Sequence, residues 1–305
     1  MLSGHFPEGG LPTIKKILLI CVAVITFLIA LGILLYPLIS TWYNEQHQSQ
    51  IQTQYQQMLE QVDDTQILNA RDHADAYNKA IRPGTQMTDS FSKDALLSAS
   101  EDYDRQLNLT GDGIMGYIKI PSIRVELPIY HGTEDNTLEK GIGHLLGTSL
   151  PVGGESTHTV LTGHSGMASK KMFSDIVQLG IGDVFYLEVL GQTLAYQVDR
   201  IDTVLPYDTS LLGIREEQDL CTLVTCTPFG VNTHRLLVRG HRIPYEEAEK
   251  IVQETESMDI PMSKWEQEYI KGIWIGIAGV SGVGIIYWVV GLIRKRHLKK
   301  EVDAR

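Results

Sequence analysis

The sequence predicts a mainly β domain of eight strands with short helices, carried between two apolar helices near the chain ends. Three observations predict it. Eight runs rich in β-branched and aromatic residues fall between Met115 and Ile243, broken by Gly, Pro, Asn and Asp. Few stretches in that region keep a helical period. Outside it, Ile17–Ile39 and Gly272–Ile293 are almost wholly apolar and carry no charge. With 305 residues and 43% hydrophobic content, the chain can bury a real core. Many strands with few helices argue for a closed barrel or a sandwich.

The two apolar stretches come first and last. Each is about 20 residues or more, enough to cross the hydrocarbon core as a helix. Ile17–Ile39 follows Lys15 and Lys16. A cleaved signal peptide is the alternative, but the run is long for one and "YPLISTWYNE" offers no A-x-A site. It reads as an uncleaved anchor. Gly272–Ile293 holds Trp274, Tyr287 and Trp288 near its ends, as interfacial anchors do. Its glycines at 272, 276, 279, 282 and 284 either form a helix-packing face or reflect the ordinary frequency of Gly in membrane helices. Basic residues flank the outer end of each stretch, Arg294, Lys295, Arg296, Lys299 and Lys300 at the second. Both tails, 1–16 and 294–305, are therefore expected in the cytoplasm, with residues 40–271 outside a two-pass cell-membrane protein. That middle region holds 34 of the 37 acidic and 18 of the 26 basic residues, a net of −16. Such a surface excludes nucleic acid as a natural partner.

Residues 40–81 are expected to be helical. Ile51, Tyr55, Met58, Leu59 and Val62 recur at helical spacing, and a second helix is expected near Asp72–Ile81, stopped by Pro83-Gly84. Residues 82–111 lose periodicity, which in a compact domain marks a functional lid or a linker. From residue 112 to 245 the pattern is β. The runs are Met115–Ile120, Val125–His131, Thr159–Gly163, Asp183–Leu190, Thr193–Asp199, Arg200–Leu205, Cys221–Cys226 and Arg235–Ile243. Gly191-Gln192 reads as a hairpin turn. Short helices are expected at Glu134–Lys140 and Lys171–Gln178. Residues 246–271 form an acidic, exposed helical connector.

Three cysteines are present, and Cys21 lies in the first apolar stretch. Cys221 and Cys226 on one strand would be about 16 Å apart on opposite faces, too far for a disulfide. No Cys/His spacing suggests zinc, no acidic array suggests calcium, and no cofactor is expected. Cys226 instead ends an apolar strand, with Arg235 opening the next. A thiolate needs a nearby positive charge to form near neutral pH, and usually a histidine. Of six histidines in the β region, His164 ends the run "TVLTGHSG" at a strand terminus. Two readings stand side by side. In one, Cys226 attacks a carbonyl, His164 protonates the departing amine and Arg235 stabilises the oxyanion. In the other, Cys226 is a buried strand residue, and His164 and Arg235 are ordinary surface groups.

A resemblance favours the first. "TLVTC" (222–226), Arg235 nine residues on, and "LTGHSG" (161–166) resemble, in order, the signature motifs of the sortase family. The similarity covers about residues 70–245 of the chain. It implies an eight-stranded sortase β-barrel with Cys226 as nucleophile, His164 as acid/base and Arg235 as oxyanion and substrate stabiliser. It also implies cleavage of an LPxTG-like sorting signal between Thr and Gly through a Cys thioester. The second apolar stretch, "GDGIMGYIKIP", "GTSLPVGGESTHTVLTGH" and the irregular segment resemble class C, the pilus-assembling sortases of Gram-positive bacteria. There the resolving amine is a lysine of another pilin subunit. In that class an Asp-Pro-aromatic triplet plugs the site; here Asp89-Ser90-Phe91 stands in its place, with Ser for Pro. Its alternative is that Asp89 and Phe91 are ordinary loop residues. The competing functions are a housekeeping sortase that anchors proteins to cell-wall precursor, and a non-catalytic membrane-anchored pilin-binding module. A papain-like protease is disfavoured, since its cysteine opens a helix.

Overall fold

A computed structural model describes residues 10–81, 89, 91, 101–165, 170–256 and 264–303. Two units can be told apart, Met1–Glu256 and Ser257–Arg305. Among the described residues eight strands close into a barrel: β1 (Ile114–Ile120), β2 (Val125–His131), β3 (Ile142–His144), β4 (Thr157–Thr162), β5 (Val184–Val189), β6 (Gln192–Val204), β7 (Asp219–Thr227) and β8 (His234–Ile243). Their order round the barrel is β1-β2-β3-β4-β7-β8-β6-β5, closed by the antiparallel pair β1–β5. The sandwich alternative falls away. Closure leaves no long unpaired edge.

Alternation decides what is inside. Ile118, Ile120, Leu127, Ile129, Leu161, Phe185, Leu187, Cys221, Leu223 and Val238 form the barrel core. Each fully buried aliphatic or aromatic side chain contributes about 1.5–3 kcal/mol. Phe185 and Tyr196 stack at 5.5 Å, 12° from parallel.

Several expectations need correction. β3 was not foreseen, because three residues carry no readable period. The runs Thr193–Asp199 and Arg200–Leu205 are one strand, β6, bent by a register shift between Val198 and Arg200. Such a bulge lets one strand turn a barrel corner without ending. The β5–β6 turn is Leu190-Gly191, not Gly191-Gln192. Both residues have positive φ, 51° and 74°, as the hairpin twist requires. Within Lys171–Gln178 a single 3₁₀ turn forms at Ile176–Gln178.

The helices also differ from expectation. Helix α1 runs unbroken over Gly10–Leu59, so the first apolar stretch and the following amphipathic stretch are one element. Its last turns bury Tyr55 and Leu59 against Ile114 and Tyr117, with Ile51 packed alongside. Met58, expected on that stripe, is exposed. Earlier in α1, apolar side chains from Ile20 to Tyr36 are exposed. Helix α2 spans Asp64–Ala80, a full two turns longer at its start than expected, and Asn78 ties it to the barrel through both the N–H and the C=O of Leu150. Helix α3 (Glu101–Arg105) and the buried Leu107 show that the last part of the 82–111 segment belongs to the body. The rest of that segment, apart from Asp89 and Phe91, lies outside the described residues. Helix α4 (Asp135–Leu138) replaces the expected Glu134–Lys140. Helix α5 (Tyr245–Glu256) is not wholly exposed, since Ala248 packs on Val184, Tyr186, Ala195 and Ile243. In the second unit, helix α6 (Lys264–Asp303) exposes Trp274, Ile275, Ile277 and Val280. Among the described residues no helix is long and apolar enough to cross a membrane.

One local feature, Gly163, fixes the end of β4. A Cβ on Gly163 would come within 2.6 Å of Ile142 and 2.7 Å of Phe173, both core side chains. The bare glycine lets the strand end lie flat on the core. Gly163→Ala should therefore overpack the site and cost about 1–3 kcal/mol, read as a lowered midpoint in thermal or urea unfolding. An unchanged midpoint would show that Ile142 and Phe173 yield freely.

Candidate active site

The strand register assembles the site. β4 and β7 run parallel with Thr162 opposite Val224. The pairing continues past the end of β4. The Gly163 N–H donates to Val224 O at 3.0 Å, the Thr225 hydroxyl donates to Gly163 O at 2.7 Å, and the Ser165 hydroxyl donates to Cys226 O at 2.7 Å. These bonds hold His164 alongside Cys226. On the other side, β7 and β8 are antiparallel with Cys226 directly opposite Arg235. Such cross-strand partners stand about 4.5–5.5 Å apart at Cβ. The six residues 228–233 connect the two strands. His164 just past the end of β4, Cys226 on β7 and Arg235 on β8 thus stand side by side along three neighbouring strands.

The face is the outer one. Cys221 and Leu223 point into the barrel core, while Val224 packs outside with Leu145, Val160, Leu212 and Leu237. Cys226 shares the outer face with Val224, so it sits in a surface groove and not in the barrel mouth. Both cysteines are free, Cys221 buried and Cys226 half-buried.

Asp89 and Phe91 lie on this groove. Arg235 donates from Nε to Asp89 Oδ1 at 2.9 Å and from Nη2 to Asp89 Oδ2 at 2.6 Å. This is a bidentate, charge-assisted pair. The two side chains are 11% and 16% exposed, so water screens them little. Arg235 Nη1 donates to the carbonyls of Asn232 and His234, which fixes the guanidinium plane. The Phe91 N–H donates to Asp89 Oδ1 at 3.4 Å, which folds the segment back on itself. The Phe91 ring lies 4.9 Å from Arg235 Cζ and 5.8 Å from the His164 ring. It packs on the Val160, Val224 and Leu237 cluster. One residue therefore meets Arg235 by charge, and the next but one spans Arg235 and His164 with an apolar ring.

Beside the plug an open cleft of about 230 Å³ is lined by the apolar Val204, Pro206, Leu212, Val224 and Leu237 together with Asp89, Asp208, Thr209 and Arg235. Its far wall comes from the β6–β7 connection. His158 secures that connection, donating from Nδ1 to Gly213 O at 2.9 Å and accepting at Nε2 from the Thr222 hydroxyl at 2.7 Å. Burial pushes His158 down to about 4, so it stays neutral and suited to one donation and one acceptance.

Electrostatics favour a resting neutral pair. Burial pushes the Cys226 thiol above its ordinary value; Arg235 pulls it down, and Asp89 pushes it up again. Burial pushes the His164 imidazole below its ordinary value, opposed by Asp135 and Glu139. At neutral pH the plugged site thus holds a thiol and an uncharged imidazole. Among the described residues no group of three or more His, Cys, Asp or Glu is arranged to hold a metal ion.

All five residues singled out in the sequence converge here. Missed were Ser165, the β6–β7 wall with Pro206 and Leu212, and the acidic pair Asp135 and Glu139 near His164. Ser165 adjoins His164 and was within reach of a closer reading. The wall has no sequence signal, because it arrives from a connection between distant strands.

The sortase domain family matches residues 118–243 of the chain. Among curated proteins, sortase D of Bacillus subtilis (strain 168) is 32% identical over 131 residues, 42% of this chain and 63% of that protein. The chain thus spans less than two thirds of that relative's length. Among solved structures, sortase C-1 from Actinomyces oris is 46% identical with a TM-score of 0.56, covering 59% of this chain and 99% of that one. Streptococcus pneumoniae sortase C, a protein studied for its pilin substrate specificity, is 42% identical with a TM-score of 0.59, covering 64% and 97%.

The plug geometry has a direct consequence for thiol chemistry. Removing Asp89 takes away one cause that raises the thiol and frees Arg235 to act on it. Asp89→Ala should therefore move the pH midpoint of Cys226 alkylation downward and raise the rate at pH 7 by about tenfold. Iodoacetamide labelling across pH, read by mass spectrometry, measures both. A profile identical to wild type would show that Asp89 does not gate the thiol.

Proposed function

The chain belongs to the sortase family, and from that premise we propose that it is a class C cysteine transpeptidase that polymerises pilin subunits. Its substrate is an LPxTG-like sorting signal, cut between Thr and Gly. With the plug withdrawn, the Cys226 thiol passes its proton to the His164 imidazole, the thiolate attacks the threonine carbonyl carbon, and Arg235 stabilises the developing oxyanion through charge-assisted hydrogen bonds. The C–N bond breaks as the His164 imidazolium gives its proton to the departing glycine amine. A thioester on Cys226 remains. A lysine amine of another pilin subunit then attacks that carbonyl and passes a proton to His164. An isopeptide bond forms, and the Cys226 thiolate is released.

The observation that carries this reading is Arg235. Its side chain is fixed by two backbone carbonyls, directly across from Cys226, and its fork already grips a carboxylate. A guanidinium so held suits an oxyanion. The plug supports a transferase over a hydrolase, because an acyl-enzyme waiting for a scarce amine must be shielded from water. The similarity to sortase C structures supports the pilin substrate.

The reading extends to location. Ile17–Ile39 and Gly272–Ile293 anchor the chain in the cell membrane as two spans, with both tails cytoplasmic and the barrel outside. What supports this is the length and apolarity of the two stretches, their basic flanks, and the exposed apolar side chains between Ile20 and Tyr36. Residues 40–81 then form the helical base, 82–111 the lid segment, 112–245 the catalytic barrel and 246–271 the connector.

The test incubates the protein, alongside Cys226→Ala, with an LPxTG-type peptide and a pilin subunit. Mass spectrometry should find a thioester on Cys226 in the wild type alone, and a peptide–lysine isopeptide product. Arg235→Ala should lower turnover by about a hundredfold or more. Release to water or to a glycine-type amine, with no lysine product, would favour the cell-wall anchoring enzyme. No adduct at all would leave a non-catalytic binding module.

A further inference from the structure

Thr162 is 0% exposed, and among the described residues its Oγ1 has no hydrogen-bond partner. Nearby threonines on the same sheet do not share this state. The Thr225 hydroxyl donates to Gly163 O, the Thr222 hydroxyl meets His158, and the Thr159 hydroxyl donates to Leu150 O. An orphaned hydroxyl in a well-bonded sheet asks for an explanation, and a site that receives a ligand is one.

Register places this hydroxyl on the site. Thr162 is opposite Val224 on β7, so both side chains take the same, outer face of the sheet. Val224 lines the cleft, and Cys226 is two residues further along that face. On its own strand Thr162 lies two residues after Val160, part of the apolar groove floor, and two before His164. Its neighbour on the other side, Gly143, has no side chain to pair with. The apolar cluster on that face is Leu145, Val160, Leu212, Val224 and Leu237, and the Phe91 ring packs against it. Thr162 therefore supplies a lone hydroxyl to an apolar floor, on the His164 side of Cys226 and away from the Arg235 cleft.

A peptide bound for attack at Cys226 must put its scissile residue over this spot once Phe91 has left. We propose that Thr162 is a specificity-determining residue whose hydroxyl pairs with the hydroxyl of the scissile threonine. This rests on the sorting-signal reading given above. A lone polar group on an apolar floor discriminates strongly between a substrate that carries the matching hydroxyl and an isostere that lacks it.

The test is a two-by-two comparison with the full chain in detergent. Wild type and Thr162→Val are each assayed for kcat and KM with two peptides, one with Thr and one with Val at the scissile position. Wild type should favour the Thr peptide by about tenfold or more. Thr162→Val should lose most of that preference, keep its turnover of the Val peptide, and keep the wild-type rate of Cys226 alkylation. Thr162→Ser, which retains a hydroxyl, should keep the preference and supplies the comparison if the valine variant folds poorly. Equal preference in wild type and Thr162→Val, or loss of preference in Thr162→Ser alongside normal unfolding, overturns the proposal while leaving the transpeptidase reading intact. Failure of the wild type to turn over either peptide overturns both.

Discussion

Arg235 offers one fork of donors, and two different groups have reason to occupy it. In the structure the fork holds the Asp89 carboxylate with two hydrogen bonds, at 2.9 and 2.6 Å. In a reaction at Cys226 it must face an oxyanion instead. Both cannot be served at once. The ion pair therefore does more than tether a loop. It sets an anion near the Cys226 thiol that opposes the pull of Arg235, and it brings Phe91 beside His164. In this state the Cys226 thiol stays protonated and its neighbouring cation is paired, all through one contact between residues 146 positions apart.

That contact works because the barrel leaves its catalytic groups little freedom. Two ladders, β4–β7 and β7–β8, set His164, Cys226 and Arg235 side by side, and closure prevents either ladder from slipping. The segment that follows the plug is pinned equally firmly. The Tyr103 hydroxyl donates to His144 Nδ1 at 2.8 Å and accepts from the Gly132 N–H at 3.1 Å, fully buried. His144 in turn donates from Nε2 to Ser149 O, and burial pushes it down to about 4, so it remains the neutral acceptor that Tyr103 needs. On the other side α2 is locked to Leu150 through Asn78. Among the described residues of the intervening segment, Asp89 and Phe91 are the ones that meet the site.

The strands with strong alternation were legible in the sequence, and so was the meeting of His164, Cys226, Arg235, Asp89 and Phe91 in one groove. Cys226 and Arg235 could be read as partners because a short connection between two strands forces them across from each other. His164 could be found because a β-branched run ends beside it. Less legible was anything set by distant partners. β3 is three residues long and becomes a strand by pairing with Ile129–His131 and Leu161–Thr162. β6 was divided in two because a bulge breaks alternation without breaking the strand. The outer position of Cys226 depends on which face of β7 the core claims, and the pattern Cys221–Leu223–Thr225 against Thr222–Val224–Cys226 does not decide that by composition. The orphaned hydroxyl of Thr162 had no sequence signal at all, since its neighbours lie on other strands.

Substrate and plug compete for Arg235. The direct measurement places a fluorinated phenylalanine at position 91 of the Cys226→Ala protein and follows its ¹⁹F resonance while a sorting peptide is added. This competition should move the signal from a shielded position to a solvent-exposed one, in step with peptide binding. A peptide that saturates the groove while the ring stays in place would show that substrate reaches Cys226 by a route that leaves the Asp89–Arg235 pair untouched, and would contradict it.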